Sequence, residues 1–212
     1  IYTQDVVGSV DVYKRQVIGT LFLSSLAGYS LAMHRFKLNL LVFAMFIAGN
    51  FVPYQILMIP VRNISIELGM YNSHMGLIIF HIAFQTGFCT FFLRNFIKEL
   101  PFELIEAARA DGATEWTIYR KIIIPLTIPA LAALGVLEFT FIWNDYFWAL
   151  ILTQGDTVKP ITVGLDVLRG QWTTAWNLVS AGSVVAALPP VIMFFILQRQ
   201  FIQGLTFGAV KG

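Results

Sequence analysis

The sequence predicts an all-α, polytopic transmembrane helical bundle. Of its 212 residues, 57% are hydrophobic and only 12% are charged, about half the charged share of a typical soluble domain. Several apolar runs are long enough, at about 1.5 Å per residue, to cross a hydrocarbon core of about 30 Å. Backbone groups in lipid must be satisfied internally, which favours helices. The short alternating strands typical of a transmembrane barrel do not occur in the sequence.

Five apolar stretches are predicted to span the membrane. They cover residues 17–33, 38–60, 74–93, 126–152 and 178–201. Pro53 predicts a kink in the second span, because proline removes a helical hydrogen bond. Small residues such as Ser24, Ser25 and Gly28 predict close contact between helices.

Lysine and arginine predict the orientation of the chain. Nine of them fall in one set of loops and three in the opposite set, leaving aside Lys14 and Arg15. By the positive-inside rule the first set is cytoplasmic. We therefore expect residues 94–125 and the C-terminus to face the cytoplasm and residue 1 to lie outside.

Residues 1–16 differ from the rest of the chain. The segment IYTQDVVGSVDVYKRQ is polar and begins without methionine, and it shows no signal-peptide pattern. We expect a separate leader, a truncation scar or assembly artefact, that packs against nothing native and can be deleted.

The polar stretch EAARADGATEWTIYRKIIIP, residues 106–125, interrupts the apolar runs. Pro101 suits the first turn of a short helix, where Glu103 and Glu106 lie near its positive end. Gly112 predicts a break with positive φ. The following residues predict an interfacial helix that runs into the membrane. Composition alone leaves two alternatives, a solvated loop and a surface that docks another protein.

No residue pattern indicates a cofactor, a metal or nucleotide chemistry. The sequence lacks the phosphate-binding loop GxxxxGK[ST]. The three histidines, His34, His74 and His81, have no metal-ligand spacing, and Cys89 lies in an apolar run, as a small buried hydrophobic residue does. We predict no bound cofactor, no metal site and no nucleic-acid partner.

Fixed spacings across 106–125 resemble the signature of permease subunits of binding-protein-dependent ABC importers. FIWNDYFWALIL (residues 141–152) and QRQFIQGLTFGAVKG (residues 198–212) resemble the carbohydrate branch of that family, which takes maltose-like, oligosaccharide or glycerol-phosphate-like solutes. The signature residues here are Glu106, Ala107, Ala108, Asp111, Gly112, Ala113, Ile122, Ile124 and Pro125. The resemblance covers residues 17–212, and it implies that the family's first helix is missing.

The resemblance implies a role for residues 94–125 and a set of partners. The loop would carry a coupling helix that docks on an ATPase subunit, through Glu106, Ala107, Ala108, Asp111, Gly112 and Ala113. The partners would be a second, different permease, two ATPases, an extracytoplasmic sugar-binding protein and membrane lipid. ATP hydrolysis would reside on the ATPases, so this chain would not be an enzyme. It would be a multi-pass protein of a prokaryotic cell membrane.

Polar residues inside the spans are candidates for a translocation path, because buried charge in a span faces a partner or water. Glu138 and Asp145 are seven residues apart, on nearly one helical face. The alternative for Asp145 is a structural hydrogen bond. The complete candidate set is His81, Gln85, Glu138, Asn144 and Asp145. Trp143, Tyr146, Phe147 and Trp148 could stack on a sugar or form an aromatic belt.

Three other functions compete with sugar import. Glu138 and Asp145 leave open an ion-coupled secondary transporter, and an ABC permease for a solute other than sugar would share the same signature. An intramembrane enzyme is disfavoured, since the histidines match no serine or metal pattern. The outer loop, residues 153–177, would contact the binding protein or would simply connect two spans.

Overall fold

A computed structural model describes residues 2–155, 158–168 and 174–206, which form ten α-helices. Two 3-10 turns, Gly49–Phe51 and Tyr54–Leu57, follow α2, and a π-helical turn, Tyr119–Ile123, follows α6. The helices are α1 Tyr2–Met33, α2 Asn39–Ala48, α3 Met58–Glu67, α4 His74–Lys98, α5 Phe102–Ala110, α6 Glu115–Ile118, α7 Ile124–Trp143, α8 Phe147–Leu152, α9 Ile161–Val167 and α10 Trp176–Thr206.

The helical lengths confirm a multi-pass membrane protein. Within the described ranges, four helical stretches are long and apolar enough to cross a membrane: Val10–Met33, His74–Lys98, Glu115–Trp143 and Trp176–Arg199. A fifth span forms if Asn39–Phe51 and Tyr54–Glu67 are counted together, although they are bent by 91°. Pro53 lies at this bend with φ −57° and ψ 118°, which is outside the helical region. The predicted kink is therefore confirmed, and it breaks the helix completely.

The predicted bounds of the fourth span, 126–152, are wrong at both ends. The helix starts eleven residues earlier because Thr114 caps it, with Oγ1 accepting a hydrogen bond from the Thr117 N–H at 3.3 Å. It stops at Trp143, and the separate helix α8 begins at Phe147. Asn and Asp side chains compete for backbone groups and so favour a break at positions 144–145.

The expectation that residues 1–16 pack against nothing is wrong for Tyr13 and Gln16, two of the residues 10–16 whose side chains the structure describes. Helix α1 runs through this segment without a break. Tyr13 is 3% exposed, and its ring contacts Phe139 and Trp143 at centroid distances of 6.5 and 4.9 Å. Gln16 is 1% exposed. Composition misled here, since a polar residue on a helix can face the interior.

The chain divides into two compact units. The first comprises residues 1–18, 52–83 and 136–196, and the second comprises residues 19–51, 84–135 and 197–212. In the first unit Leu77, Trp148 and Leu152 form a buried apolar cluster. Asn72 joins two loops of this unit, because its Oδ1 accepts the N–H groups of Gln154 and Gly155 at 2.8 and 2.7 Å.

In the second unit α1 and α4 are in close contact, as the small residues predict. A Cβ on Gly28 would lie 3.1 Å from the backbone nitrogen of Arg94 and 3.2 Å from the Leu93 Cβ. Ser24 Oγ donates to the Thr86 carbonyl at 3.3 Å. Cys89 is completely buried in the apolar cluster of this unit, so it packs as the small hydrophobic residue that was predicted.

Candidate functional site

Helix α5 carries most of the polar signature. Pro101 stands at its N-cap with φ −58° and ψ 115°, one position before the first turn where it was expected. Proline at this point leaves no backbone N–H unsatisfied. Glu103 lies in the first turn and Arg109 in the last, which matches the helix dipole at both ends.

One face of α5 holds it against the second unit, and the other is open. Ile105 is 1% exposed and belongs to the buried cluster that includes Leu93, Ile97 and Ile118. On the open face Glu106, Ala107 and Ala110 are all exposed. The open face therefore combines small side chains with two carboxylates, since Glu103 is also exposed and lies one turn before Glu106.

Helix α5 ends in a Schellman motif centred on Gly112. The Gly112 N–H donates to the Arg109 carbonyl at 3.0 Å, and the Ala113 N–H donates to the Ala108 carbonyl at 2.9 Å. These two bonds define the motif. Gly112 has φ +80°, as predicted, and no atom lies within 4 Å of a Cβ placed there. Glycine is required here for its backbone conformation, with space to spare around it.

Four residues, 111–114, link α5 to the long helix Glu115–Trp143. Trp116 is 57% exposed, whereas Tyr119 is 5% exposed. This agrees with the predicted helix that lies at the interface and runs into the membrane. The π-helical turn Tyr119–Ile123 ends just before Pro125, which cannot donate the next backbone hydrogen bond. The signature thus extends from an exposed helix into a membrane span.

Sequence reasoning missed two supports of α5. One is Ile105; its spacing of three residues from Ala108 could have indicated the buried face. The other is Glu115, whose Oε1 accepts a hydrogen bond from Arg109 Nε at 2.9 Å. This hydrogen bond raises the pKa of Arg109. No spacing rule would have paired Arg109 with Glu115, because a non-helical link separates them.

Asp145 has a structural role in the first unit. Its carboxylate oxygens accept the N–H groups of Trp148 at 3.3 Å and Ala149 at 3.1 Å, which caps α8. His81 Nε2 lies 3.4 Å from Asp145 Oδ2, and both side chains are largely buried. The geometry therefore matches the structural alternative that the sequence left open. The expected shared helical face with Glu138 is wrong, because α7 ends before Asp145.

The other candidate path residues occupy different environments. Glu138 is fully buried in α7. Asn144 is exposed, and its Nδ2 donates to the Thr140 carbonyl at 2.8 Å, which closes the end of α7. Gln85 is half-buried on α4 in the second unit. His81 and Asp145 are thus two members of the set that lie next to each other, at 3.4 Å.

The aromatic residues around the break are mostly internal. Trp143 is 1% exposed and donates from Nε1 to the Ala186 carbonyl at 2.8 Å. Trp148 is 4% exposed and packs against Phe80 at a centroid distance of 4.2 Å. Neither an aromatic belt nor sugar stacking suits side chains this buried. Tyr146 is 37% exposed, and its hydroxyl donates to Asp166 Oδ2 at 2.8 Å.

The described side chains contain no group of three or more His, Cys, Asp or Glu residues arranged to hold a metal ion. A candidate cavity of about 300 Å³ is lined by eight residues of the first unit: Met58, Ile59, Arg62, Asn63, Tyr71, Leu150, Ile151 and Gln154. The Arg62 guanidinium lies 5.2 Å from the centroid of the Tyr71 ring, so this cation already has an aromatic partner.

Comparison with known proteins agrees with this geometry. A probable ABC transporter permease protein of Pyrococcus horikoshii is 39% identical over 187 residues, which cover 88% of this chain and 68% of the relative. An arabinooligosaccharides transport system permease protein of Halalkalibacterium halodurans is 36% identical over 196 residues, covering 92% and 70%.

A solved structure shares the fold. It is a bacterial alginate ABC transporter in complex with an alginate pentasaccharide-bound periplasmic protein, with TM-score 0.76 and 17% identity over 92% of this chain and 76% of the matched chain. The family model described as binding-protein-dependent transport system inner membrane component matches residues 22–207. With most of its length inside that match, the chain belongs to this family of inner membrane transport components.

Proposed function

We propose that this chain imports a carbohydrate as the permease subunit of an ABC importer, and that α5 is its coupling helix. The observation that carries the proposal is the open face of α5, where Glu106, Ala107 and Ala110 are exposed on a helix that Ile105 anchors to its own unit. A mobile solvated loop has no need of a buried anchor and a closed Schellman end. A surface that must receive force from another protein needs both.

The open face suits a protein partner in its chemistry. Alanine side chains let another backbone approach closely, as small residues do at helix interfaces. Phe102 and Leu104, also on α5, are 46% and 47% exposed. Exposed apolar groups next to a carboxylate favour docking in a cleft that contains an arginine or lysine. The proposed partner at this surface is an ATPase subunit on the cytoplasmic side.

The proposed substrate class is a sugar. A relative that is 36% identical is named for the transport of arabinooligosaccharides, and residues 141–152 and 198–212 resemble the carbohydrate branch. Residues 207–212 of that ending lie outside the described part of the chain, so the resemblance there is one of sequence. The comparisons give no support to an ion-coupled transporter.

His81, Gln85, Glu138 and Asn144 remain the proposed contacts of the translocation path. Among the described residues, His81 Nδ1 is buried without a hydrogen-bond partner, so it could accept or donate a bond to a sugar hydroxyl. Asp145 would hold His81 in place from the opposite nitrogen, at 3.4 Å. In this arrangement Asp145 acts on the path through His81.

The proposed contact with a sugar-loaded binding protein lies near α9. This helix, Ile161–Val167, stands within the outer loop, residues 153–177. Thr162 Oγ1 donates to the Asp145 carbonyl at 2.9 Å, and Asp166 accepts from Tyr146. A loop fixed in this way to the break after α7 suits a docking surface better than a plain connection. We propose a second, different permease to complete the membrane part.

Cysteine cross-linking tests the proposed dock. Ala107→Cys places a thiol on the open face of α5, while the native Cys89 is completely buried and adds little background. Gly164→Cys, at an exposed position of α9, is the matched control. With the co-expressed ATPase from the neighbouring genes, we expect Ala107→Cys alone to capture that ATPase. Equal capture from both positions, or from neither, would contradict the proposal.

A transport assay tests the substrate class. The assembled complex in proteoliposomes should hydrolyse ATP faster when its binding protein carries an oligosaccharide than when the binding protein is empty. Stimulation by an amino acid or an inorganic ion, with none by any sugar tested, would overturn the assignment to carbohydrate and leave the dock untouched.

A further inference from the structure

The carboxylate of Glu115 is a meeting point for three parts of the second unit. Its Oε2 accepts a hydrogen bond from the Tyr29 hydroxyl of α1 at 2.5 Å, and its Oε1 accepts from Arg109 Nε of α5 at 2.9 Å. His34 Nε2, one residue beyond the end of α1, lies 3.3 Å from Oε2. Glu115 itself begins the long helix that includes α7. One side chain therefore touches α5, α1 and the start of a membrane span.

This cluster differs from an ordinary surface ion pair. The Arg109 and Glu115 side chains are 34% and 47% exposed, and an isolated pair of that kind contributes little. Tyr29, however, is only 6% exposed, and a buried hydroxyl needs its partner. Both carboxylate oxygens are engaged by donors from different helices, which fixes geometry as well as adding energy.

Tyr29 is itself held in place. Its ring lies 5.5 Å from that of Tyr119 and 5.6 Å from that of His34, measured between centroids. The Tyr119 hydroxyl is 2.7 Å from Ser25 Oγ, one turn earlier on α1. The hydroxyl that meets Glu115 thus projects from a packed aromatic group, so the bond constrains α1 as a rigid body.

Helix α1 ends at residue 33 and α5 begins at residue 102, so the direct route for a displacement between them runs through non-covalent contacts. Ile105 packs in the same cluster as Tyr29, but apolar packing is non-directional. Hydrogen bonds have a preferred distance and angle. The Glu115 cluster therefore supplies the directional part of the contact between α5 and α1.

We propose that Glu115 is a positioning residue that ties the coupling helix to α1, so that a displacement of α5 moves α1 together with α7. This inference rests on the proposed function, since it takes α5 as the element that an ATPase moves. Covalent linkage through residues 111–114 already couples α5 to α7. The Glu115 carboxylate adds a second connection, between α5 and α1. Without it, α5 could rotate about residues 111–114 while α1 stays in place.

The test measures the distance between α5 and the end of α1 in the assembled complex. Cysteines at Glu103 and Lys37, both exposed, would carry spin labels in complexes purified with the co-expressed ATPase and reconstituted in nanodiscs. In the parent protein we expect a narrow distance distribution that keeps its width when ATP is added. Glu115→Gln and Tyr29→Phe should broaden it, and Glu67→Gln, an exposed glutamate of α3, should not.

The second readout is the amount of sugar imported per ATP hydrolysed. Loss of a charge-assisted hydrogen bond should lower this ratio roughly tenfold in Glu115→Gln, while the ATPase still co-purifies. Tyr29→Phe removes a single hydroxyl and keeps the packed ring, so it reports on the same bond if Glu115→Gln fails to fold. An unchanged ratio in both variants, or an unchanged distribution, would overturn the positioning role. Failure of the parent protein to co-purify with the ATPase would instead overturn the dock itself.

Discussion

Gly112→Ala is the substitution whose effect the structure defines most sharply. Gly112 is the residue that ends α5, with φ +80°, and the change adds one methyl group. Since no atom lies within 4 Å of the new Cβ, a steric clash contributes nothing. The cost must come from the backbone conformation alone.

The folding free energy lost in Gly112→Ala can be worked out for two backbone conformations. If the backbone stays in the left-handed region, an L-residue there costs about 1–2 kcal/mol. If it leaves that region, the two bonds of the Schellman motif are lost, and each contributes about 0.5–1.5 kcal/mol. The second route therefore costs about 1–3 kcal/mol in all, and because the backbone takes the cheaper route we expect a loss of about 1–2 kcal/mol. The second route also turns α5 relative to the residues that follow it.

The chain contains a matched control at Gly69. This glycine ends α3 with φ +66°, and it too has no atom within 4 Å of a Cβ. The Gly69 N–H donates to the Ile66 carbonyl at 3.0 Å and the Met70 N–H to the Ser65 carbonyl at 2.8 Å, so the same motif recurs. Gly69→Ala should therefore cost the same folding free energy at a place far along the chain from α5.

The assay compares the two variants twice. The melting temperature of the purified complexes should fall by roughly 2–8 °C in both variants, because a loss of 1 kcal/mol lowers it by about 2–4 °C. Sugar-stimulated ATP hydrolysis should fall in Gly112→Ala and stay near the parent value in Gly69→Ala. If both variants lose stimulation equally, the effect is one of stability, and the docking argument is refuted. If Gly112→Ala melts like the parent, the strain argument is refuted.

Two further substitutions separate docking from stability. Glu106→Lys should abolish sugar-stimulated ATP hydrolysis, since truncating one partner of a partly desolvated pair costs about 2–5 kcal/mol, or roughly 30- to several-thousand-fold in affinity. Glu103→Lys, outside the signature, should cost a few tenths of a kcal/mol, about as much as an exposed pair contributes. Equal activity of the two variants would argue for a solvated loop. Asp145→Ala should lower thermal stability by about 0.5–2 kcal/mol through loss of the cap on α8, whereas Asp145→Asn keeps an acceptor and should lose less; identical melting of the two would show that the cap contributes nothing.

The sequence was most informative where one residue type has one physical reason to be present. Pro53 predicted a break because it cannot continue a helix, and Gly112 predicted a positive φ because other residues avoid it. Both are confirmed. Four of the five predicted spans each overlap one long apolar helix among the described residues, since length and apolarity are direct requirements of the bilayer.

Sequence reasoning failed where the outcome depends on contacts distant along the chain. Tyr13 and Gln16 were assigned to a segment that packs against nothing, yet both are buried, because burial depends on which face of a helix meets a neighbour. The end of the fourth span was placed nine residues too late, since apolar residues continue through the break. Asp145 lies beyond the end of α7 and caps α8, and hydropathy does not register a local hydrogen bond.

Five of the six residues of the proposed docking signature meet two separate physical requirements. The end of α5 is closed by Ala108, Gly112 and Ala113. The Ala113 N–H donates to the Ala108 carbonyl at 2.9 Å, and both alanines pack on the apolar cluster of the second unit. Glu106 and Ala107 lie on the exposed face and add nothing to that closure. The signature therefore combines a rigid end with an open surface. A dock that must transmit force needs both, because a partner can push a membrane span only through a helix that does not unwind at the link.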